Sequence, residues 1–138
     1  MKALGMKSVA LLAGIVLSAT AYADDVLPKE MKGNISRPTG RYNVSWSIIV
    51  ESQDPNGDIK GRFNFDGRSC RVEGLAFTGT YRDGALQLNV PAASVPAGSP
   101  SCGPWDIKLK RSGASGYEFN GLSTESTNSP ADAYLKGG

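Results

Sequence analysis

The 138-residue sequence contains no histidine. Ser-His-Asp and Cys-His mechanisms are therefore excluded, and the commonest metal ligand in proteins is missing. The only cysteines, Cys70 and Cys102, lie too far apart for a C-x-x-C redox motif, and a zinc site would need more Cys or His ligands. We predict no enzyme activity, no metal and no cofactor.

Carboxylates are the remaining catalytic candidates, because a pair of them can hydrolyse glycosidic bonds. Asp54, Asp58, Asp66 and Asp83 all fall in predicted turns or at strand ends. Aspartate is common there because its side chain bonds to the turn backbone. The segment "DPNGD" also lacks the ligand spacing of an EF-hand calcium loop. A structural role for these residues is favoured.

No apolar run is long enough for a membrane span, which takes roughly 20 residues. The run "VALLAGIVL" is shorter, follows Lys2 and Lys7, and precedes the small-residue site Ala21-Tyr22-Ala23. This order is typical of a secretory signal peptide. We predict a signal peptide at residues 1–23, a periplasmic or secreted location, and no transmembrane segment after cleavage.

The chain without its predicted signal peptide has no excess of positive or negative charge. Removing Lys2 and Lys7 with the signal peptide lowers the 15 basic residues to 13, which equals the 13 acidic residues. Nucleic-acid affinity depends mainly on a cationic surface that neutralises phosphates. We therefore predict no nucleic-acid partner.

Export places Cys70 and Cys102 in an oxidising compartment. Two cysteines allow one pairing, so we predict a Cys70–Cys102 disulfide with a structural role. In the chain-entropy model, a loop of this length contributes roughly 3 to 4 kcal/mol.

Strand periodicity dominates the rest of the chain. In "YNVSWSIIVE", alternate residues from Tyr42 to Val50 are apolar, and the intervening positions are mostly polar. This alternation is typical of strands with one buried face. Asn56-Gly57, Asp66-Gly67 and Asp83-Gly84 are turn dipeptides, and a change of apolar phase at Gly74 predicts a bulge.

We predict an all-β domain at residues 40–122, an antiparallel meander of six or more strands that forms a small barrel or a flattened sandwich. Residues 24–39 are predicted to be a loose N-terminal segment, and residues 123–138 a polar C-terminal tail.

Three surfaces are candidates for binding. The first is the barrel interior or mouth, whose aromatic residues include Trp46, Tyr81, Trp105 and Tyr117. The second is a cationic set for an anionic ligand, comprising Lys60, Arg62, Arg68, Arg71, Lys108, Lys110 and Arg111. The third consists of the loops "SVPAGSPSCGPW" and "RSGASGY", since loops on a rigid scaffold commonly carry recognition.

Two motif-level resemblances bear on these surfaces. "TGRYNVSW" and "LAFTGTYRDGALQL" are similar in rhythm to avidin-like barrels, which implies barrel geometry but assigns no biotin residues. "SGASGY" and "YLKGG" resemble the S-G-x-x-Y and K-G loop signatures of bacterial periplasmic inhibitors of c-type lysozyme. That resemblance implies that Ser112 or Ser115 and Lys136 reach the lysozyme cleft.

We expect an exported binding protein that recognises a protein or glycan through loops of a small β scaffold. Two alternatives stay open: a carrier of a small apolar ligand in the barrel mouth, and a lysozyme-inhibitor-like protein. The sequence predicts no oligomeric state.

Overall fold

The computed structural model describes residues 25–37, 43–67, 70–93, 102–113, 116–125 and 130–137. The predicted signal peptide lies outside these ranges. The described chain forms eight strands: β1 (Glu30–Ser36), β2 (Asn43–Gln53), β3 (Asp58–Asp66), β4 (Arg71–Arg82), β5 (Ala85–Val90), β6 (Trp105–Arg111), β7 (Tyr117–Glu125) and β8 (Ala131–Gly137).

Each strand pairs antiparallel with the next, and β8 also pairs with β1, so the sheet closes into an up-and-down barrel. Every described strand therefore has a partner on both sides, which protects its backbone groups. The all-β antiparallel prediction is confirmed. Because the sheet is closed, the domain is a barrel and not a flattened sandwich.

Two strands correct the expectation of loose terminal segments. β1 lies within residues 24–39 and β8 within residues 123–138. Their inward positions hold few large apolar side chains, such as Met31 and Leu135, together with small residues such as Gly33 and Ala133. The apolar alternation is therefore weak in the sequence, although both strands bury one face.

The barrel interior is filled by its own side chains. Phe63, Phe77 and Phe119 are fully buried, and the Trp105 ring packs 4.9 Å from that of Phe63 and 5.2 Å from that of Phe65, measured between centroids. An interior cavity beside Trp105 measures about 10 Å³. A space of this size holds at most one water molecule.

Local turn chemistry follows the sequence closely. Asp83 and Gly84 both have positive φ, 52° and 79°, as the tight hairpin between β4 and β5 requires. The predicted bulge is present in the β3–β4 pairing, where the register shifts between Phe63 and Phe65. Gly74 lies opposite this shift with φ of 68°, a conformation that suits glycine.

The two ends of the barrel are closed differently. At the disulfide end, the Cys70–Cys102 disulfide joins the β3–β4 connection to the segment that precedes β6, with a Cα–Cα distance of 5.9 Å. At the opposite end, residues 25–29 precede β1 and bury Leu27 against the core. We call residues 25–29 the strap and this end the strap end.

Candidate functional site

An open groove of about 1040 Å³ crosses the outer face of the barrel. It runs over β8, β1, β2 and β3 to the start of β4. Its lining is Glu30, Lys32, Gly33, Asn34, Ser45, Trp46, Ser47, Asn64, Phe65, Asp66, Arg71, Val72, Glu73, Tyr134, Lys136 and Gly137.

Strand register arranges the polar lining residues in two rows. The first row is Lys136, Lys32, Ser47 and Asn64, and the second is Tyr134, Asn34, Ser45, Asp66 and Arg71. Members of a row are directly opposite one another on neighbouring strands, about 4.8 Å apart. The groove therefore presents a ladder of hydroxyl, amide and charged groups.

The two ends of the groove differ in charge pairing. Near the disulfide end, Arg71 donates to Asp66 at 2.9 Å. Near the strap end, Lys32 and Lys136 are exposed and directly opposite each other. Neither ammonium group has a hydrogen-bond or ion-pair partner among the described residues. These lysines form a cationic pair that makes no ion pair, although Glu118 is directly opposite Lys136 on β7.

The middle of the groove is held in shape by side-chain hydrogen bonds. Asn64 donates to the Ser47 hydroxyl at 3.1 Å and accepts from the Gly74 backbone N–H at 2.7 Å. Asn64 thereby ties β2 to the bulge of β4. The bulge bends β4 beside the groove, because an extra residue on one strand increases its local twist.

Tyr134 borders the groove on β8. Its hydroxyl donates to Glu118 at 2.5 Å. This hydrogen bond raises the pKa of Tyr134 above its ordinary value, because the carboxylate favours the protonated phenol. The hydroxyl therefore stays neutral at physiological pH, and the half-buried ring offers an apolar edge beside the polar rows.

Comparisons with protein-family models, with curated proteins and with solved structures return no match. Within the described ranges, no group of three or more Cys, Asp or Glu side chains is placed to hold a metal ion. No helix among these residues is long and apolar enough to cross a membrane.

The aromatic candidates lie inside the barrel or at its strap end. Trp46 and Trp105 are 3% and 2% exposed. The Trp46 indole N–H donates to the Tyr134 carbonyl at 3.1 Å, and Trp46 touches the groove from beneath. Tyr81 and Tyr117 bind Asp25 of the strap. That these aromatic residues contact a ligand stays a prediction.

The cationic candidates are spread over three strands: Lys60 and Arg62 on β3, Arg71 on β4, and Lys108 and Lys110 on β6. β4 and β5 separate β3 from β6 around the barrel, so these residues do not share one face. Arg62 pairs with Glu51 at 3.4 Å. Arg111, on β6, pairs with Asp25, and Arg68 lies outside the described residues. Among the described members of the set, only Arg71 lines the groove.

The residues of the lysozyme-inhibitor motifs are brought to one end of the barrel. Ser112 donates its backbone N–H to the Glu118 carbonyl at 2.7 Å, and Glu118 is directly opposite Lys136. Ser112 and Lys136 are both exposed at the strap end. Ser115 lies outside the described residues.

A second depression, of about 840 Å³, lies on the outer face of β4, β5 and β6 near the disulfide end. Thr78, Asn89 and Asp106 line it together with Pro91 and Pro104. Part of the predicted recognition loop, residues 94–101, lies between β5 and β6 but outside the described residues.

Sequence reasoning missed most of the groove. Lys32 and Asn34 belong to a segment predicted to be loose, and Ser45 and Ser47 are among the intervening polar positions of "YNVSWSIIVE", for which the sequence indicates no neighbours. The alternation of Met31, Gly33 and Ile35 in "EMKGNIS" is the signal that could have identified β1.

Proposed function

We propose that this protein is an exported, non-enzymatic binding module that holds a glycan chain along the outer groove. The two polar rows carry this proposal. Serine and asparagine side chains both donate and accept hydrogen bonds, and lysine donates. A glycan presents hydroxyl groups along its length, and these can exchange hydrogen bonds with such rows.

The unpaired Lys32 and Lys136 favour a glycan that bears a carboxylate or another anionic group. Like charges directly opposite each other destabilise a sheet. An anion between the two ammonium groups would relieve this repulsion and form charge-assisted hydrogen bonds, which are stronger than neutral ones.

Export is part of the proposal. The disulfide fits an oxidising compartment, where disulfides form and persist, and the N-terminal sequence has the pattern of a signal peptide. A carrier of an apolar ligand has less support, since the described interior is packed and the cavity beside Trp105 measures about 10 Å³.

Calorimetric titration of the chain from Asp24 onward with acidic and neutral oligosaccharides tests the groove. We expect acidic glycans to bind, and Lys32→Ala or Lys136→Ala to weaken binding about tenfold, which corresponds to roughly 1.4 kcal/mol. Lys60→Ala and Lys110→Ala are matched controls, because they remove exposed lysines outside the groove. Equal losses in all four variants would indicate non-specific attraction and contradict the proposal.

Inhibition of a c-type lysozyme is the second candidate, favoured by the placement of Ser112 and Lys136 at one end of the barrel. In this case Ser112→Ala and Lys136→Ala should each reduce inhibition of lysozyme, measured by bacterial cell-wall clearing, whereas Lys32→Ala should preserve it. The glycan groove is supported over lysozyme inhibition by two results together. The parent does not inhibit lysozyme, and Lys32→Ala loses glycan binding.

A further inference from the structure

A second polar site, separate from the groove, lies at the strap end. The Asp25 carboxylate accepts hydrogen bonds from the Tyr81 hydroxyl at 2.5 Å and the Tyr117 hydroxyl at 2.7 Å. It also pairs with the Arg111 guanidinium. We call Tyr81, Arg111 and Tyr117 the carboxylate cup.

The cup is largely shielded from water. The side chains of Asp25 and Arg111 are 9% and 13% exposed. A charge shielded to this extent is costly unless it is paired and hydrogen-bonded. With the strap in place, Arg111 therefore requires a facing anion.

The side chains of the cup also make contacts with one another and with the rest of the barrel. Arg111 donates from Nε to the Gly116 carbonyl at 2.9 Å, and its guanidinium lies 4.2 Å from the centroid of the Tyr117 ring. The Tyr81 ring packs edge-on against Phe119 at 5.9 Å between centroids. Three different strands, β4, β6 and β7, thus supply a preorganised receptor.

The tyrosines act as hydrogen-bond donors. Burial, followed by the hydrogen bond to Asp25, raises the pKa of Tyr81 to about 12. The hydrogen bond to Asp25, followed by burial, raises the pKa of Tyr117 above its ordinary value. Both phenols therefore keep their protons at physiological pH and present them to a carboxylate.

The occupant of the cup belongs to a segment that forms no described strand. Gln53 donates from its side-chain amide to the Asp25 carbonyl at 3.1 Å and accepts from the Leu27 N–H at 2.9 Å. Val50 donates its N–H to the Lys29 carbonyl at 2.8 Å. Val26, between the anchored residues, is 68% exposed. Besides the buried Leu27 side chain, the strap is thus held by a few hydrogen bonds, unlike the fully paired strands.

We propose that the carboxylate cup is a binding site for carboxylates, that Asp25 fills it as a tethered ligand, and that it takes a free carboxylate when the strap is removed or displaced. The strap is then a built-in competitor. A small carboxylate or an acidic peptide reaches Arg111 only by displacing Asp25.

Rescue of Asp25→Ala by acetate tests this proposal. We expect the variant to have a lower Tm than the parent, and sodium acetate to raise that Tm by about 4 °C or more in a saturable manner. Sodium chloride at equal ionic strength should not reproduce the effect. Asp25→Asn keeps the cup filled with a side chain of similar shape, so acetate should have no saturable effect on it.

The double variant Asp25→Ala/Arg111→Met should lose the acetate effect. Rescue that survives the removal of Arg111, or that chloride matches, overturns the proposal. If Asp25→Ala does not fold in chloride, the recovery of native near-ultraviolet circular dichroism on refolding in acetate becomes the measurement. If acetate does not restore native circular dichroism to Asp25→Ala, although Asp25→Asn folds, the proposal is also overturned.

A peptide experiment separates the two sources of carboxylate. The Asp25→Ala chain, which keeps the rest of the strap and its buried Leu27, is titrated with the acetylated peptide DDVLPK and with its Asp25→Asn counterpart, and binding is followed by the Arg Nε–H resonances. Tenfold or greater weakening by the Asn substitution shows that the cup accepts a peptide carboxylate in trans. Equal binding of the two peptides contradicts the proposal.

Discussion

Four glycines occupy inward positions where neighbouring backbones approach closely: Gly33, Gly61, Gly79 and Gly121. A Cβ atom on Gly121 would lie 1.9 Å from the Lys108 carbonyl oxygen, and one on Gly79 would lie 2.1 Å from that of Gln87. These contacts are shorter than any that a real Cβ makes. Glycine lets each strand bend there, which a small barrel needs in order to close.

Gly121→Ala should therefore lower the free energy of unfolding by roughly 2 to 4 kcal/mol, since backbone and not a flexible side chain must move. Urea denaturation followed by tryptophan fluorescence measures the change. Gly113→Ala is the control, because no described atom beyond its chain neighbours lies within 4 Å of its Cβ position, and its φ of 78° is what opposes a side chain. That control should cost about 1 kcal/mol, and equal losses would refute the close-approach explanation.

β1 and β8 are the elements that turn an open meander into a barrel. Their mutual pairing runs from Met31 opposite Gly137 to Ser36 opposite Asp132. This pairing also places Lys32 beside Lys136 and so creates one end of the groove. Without β8, β1 and β7 would each expose an unpaired edge.

Leu135→Ala tests whether β8 is an integral strand. Leu135 is fully buried, so its truncation should cost roughly 2 to 5 kcal/mol in the free energy of unfolding. Leu122→Ala on β7 is the control, because Leu122 is 49% exposed and its truncation should change stability by less than about 0.5 kcal/mol. Urea denaturation measures the change. If Leu135→Ala left the free energy of unfolding unchanged, residues 123–138 would be better described as a polar tail.

At the scale of the whole molecule, the barrel is closed by different chemistry at each end. The disulfide joins two connections at one end, and Asp25 pairs with Arg111 at the other. The disulfide acts mainly on the unfolded chain, because it closes a loop and so lowers the conformational entropy of that state. The strap acts on the folded chain, since it neutralises a shielded guanidinium.

Replacement of both cysteines, Cys70→Ser with Cys102→Ser, should lower the free energy of unfolding by roughly 3 kcal/mol, given the sequence separation of 32 residues. The far-ultraviolet circular dichroism should stay that of the parent, because the eight strand ladders do not depend on the bridge. Denaturation of the parent in reducing buffer should give the same loss. An unfolded double variant would show that the bridge is required for folding.

The strands from β2 to β7 were predictable because their evidence is local. Alternation in "YNVSWSIIVE" and the dipeptides Asn56-Gly57 and Asp83-Gly84 specify faces and turns within a few residues. β1 and β8 were not, since Gly33 and Ala133 on their inward faces contribute little to an apolar pattern. The groove was also missed, because side chains such as Ser45 and Asn64 reveal nothing about their neighbours until strand register is known.

The sequence by itself determined the strands from β2 to β7, the turn dipeptides, the bulge at Gly74 and the single possible disulfide, because each depends on short-range periodicity, backbone preference or counting. Only the tertiary structure decided closure, the pairing of Lys32 with Lys136 across β1 and β8, and the meeting of Asp25 with Tyr117, which lies 92 residues away along the chain. These depend on which strands become neighbours. That choice is made by collective packing of the barrel and not by any local pattern of residues.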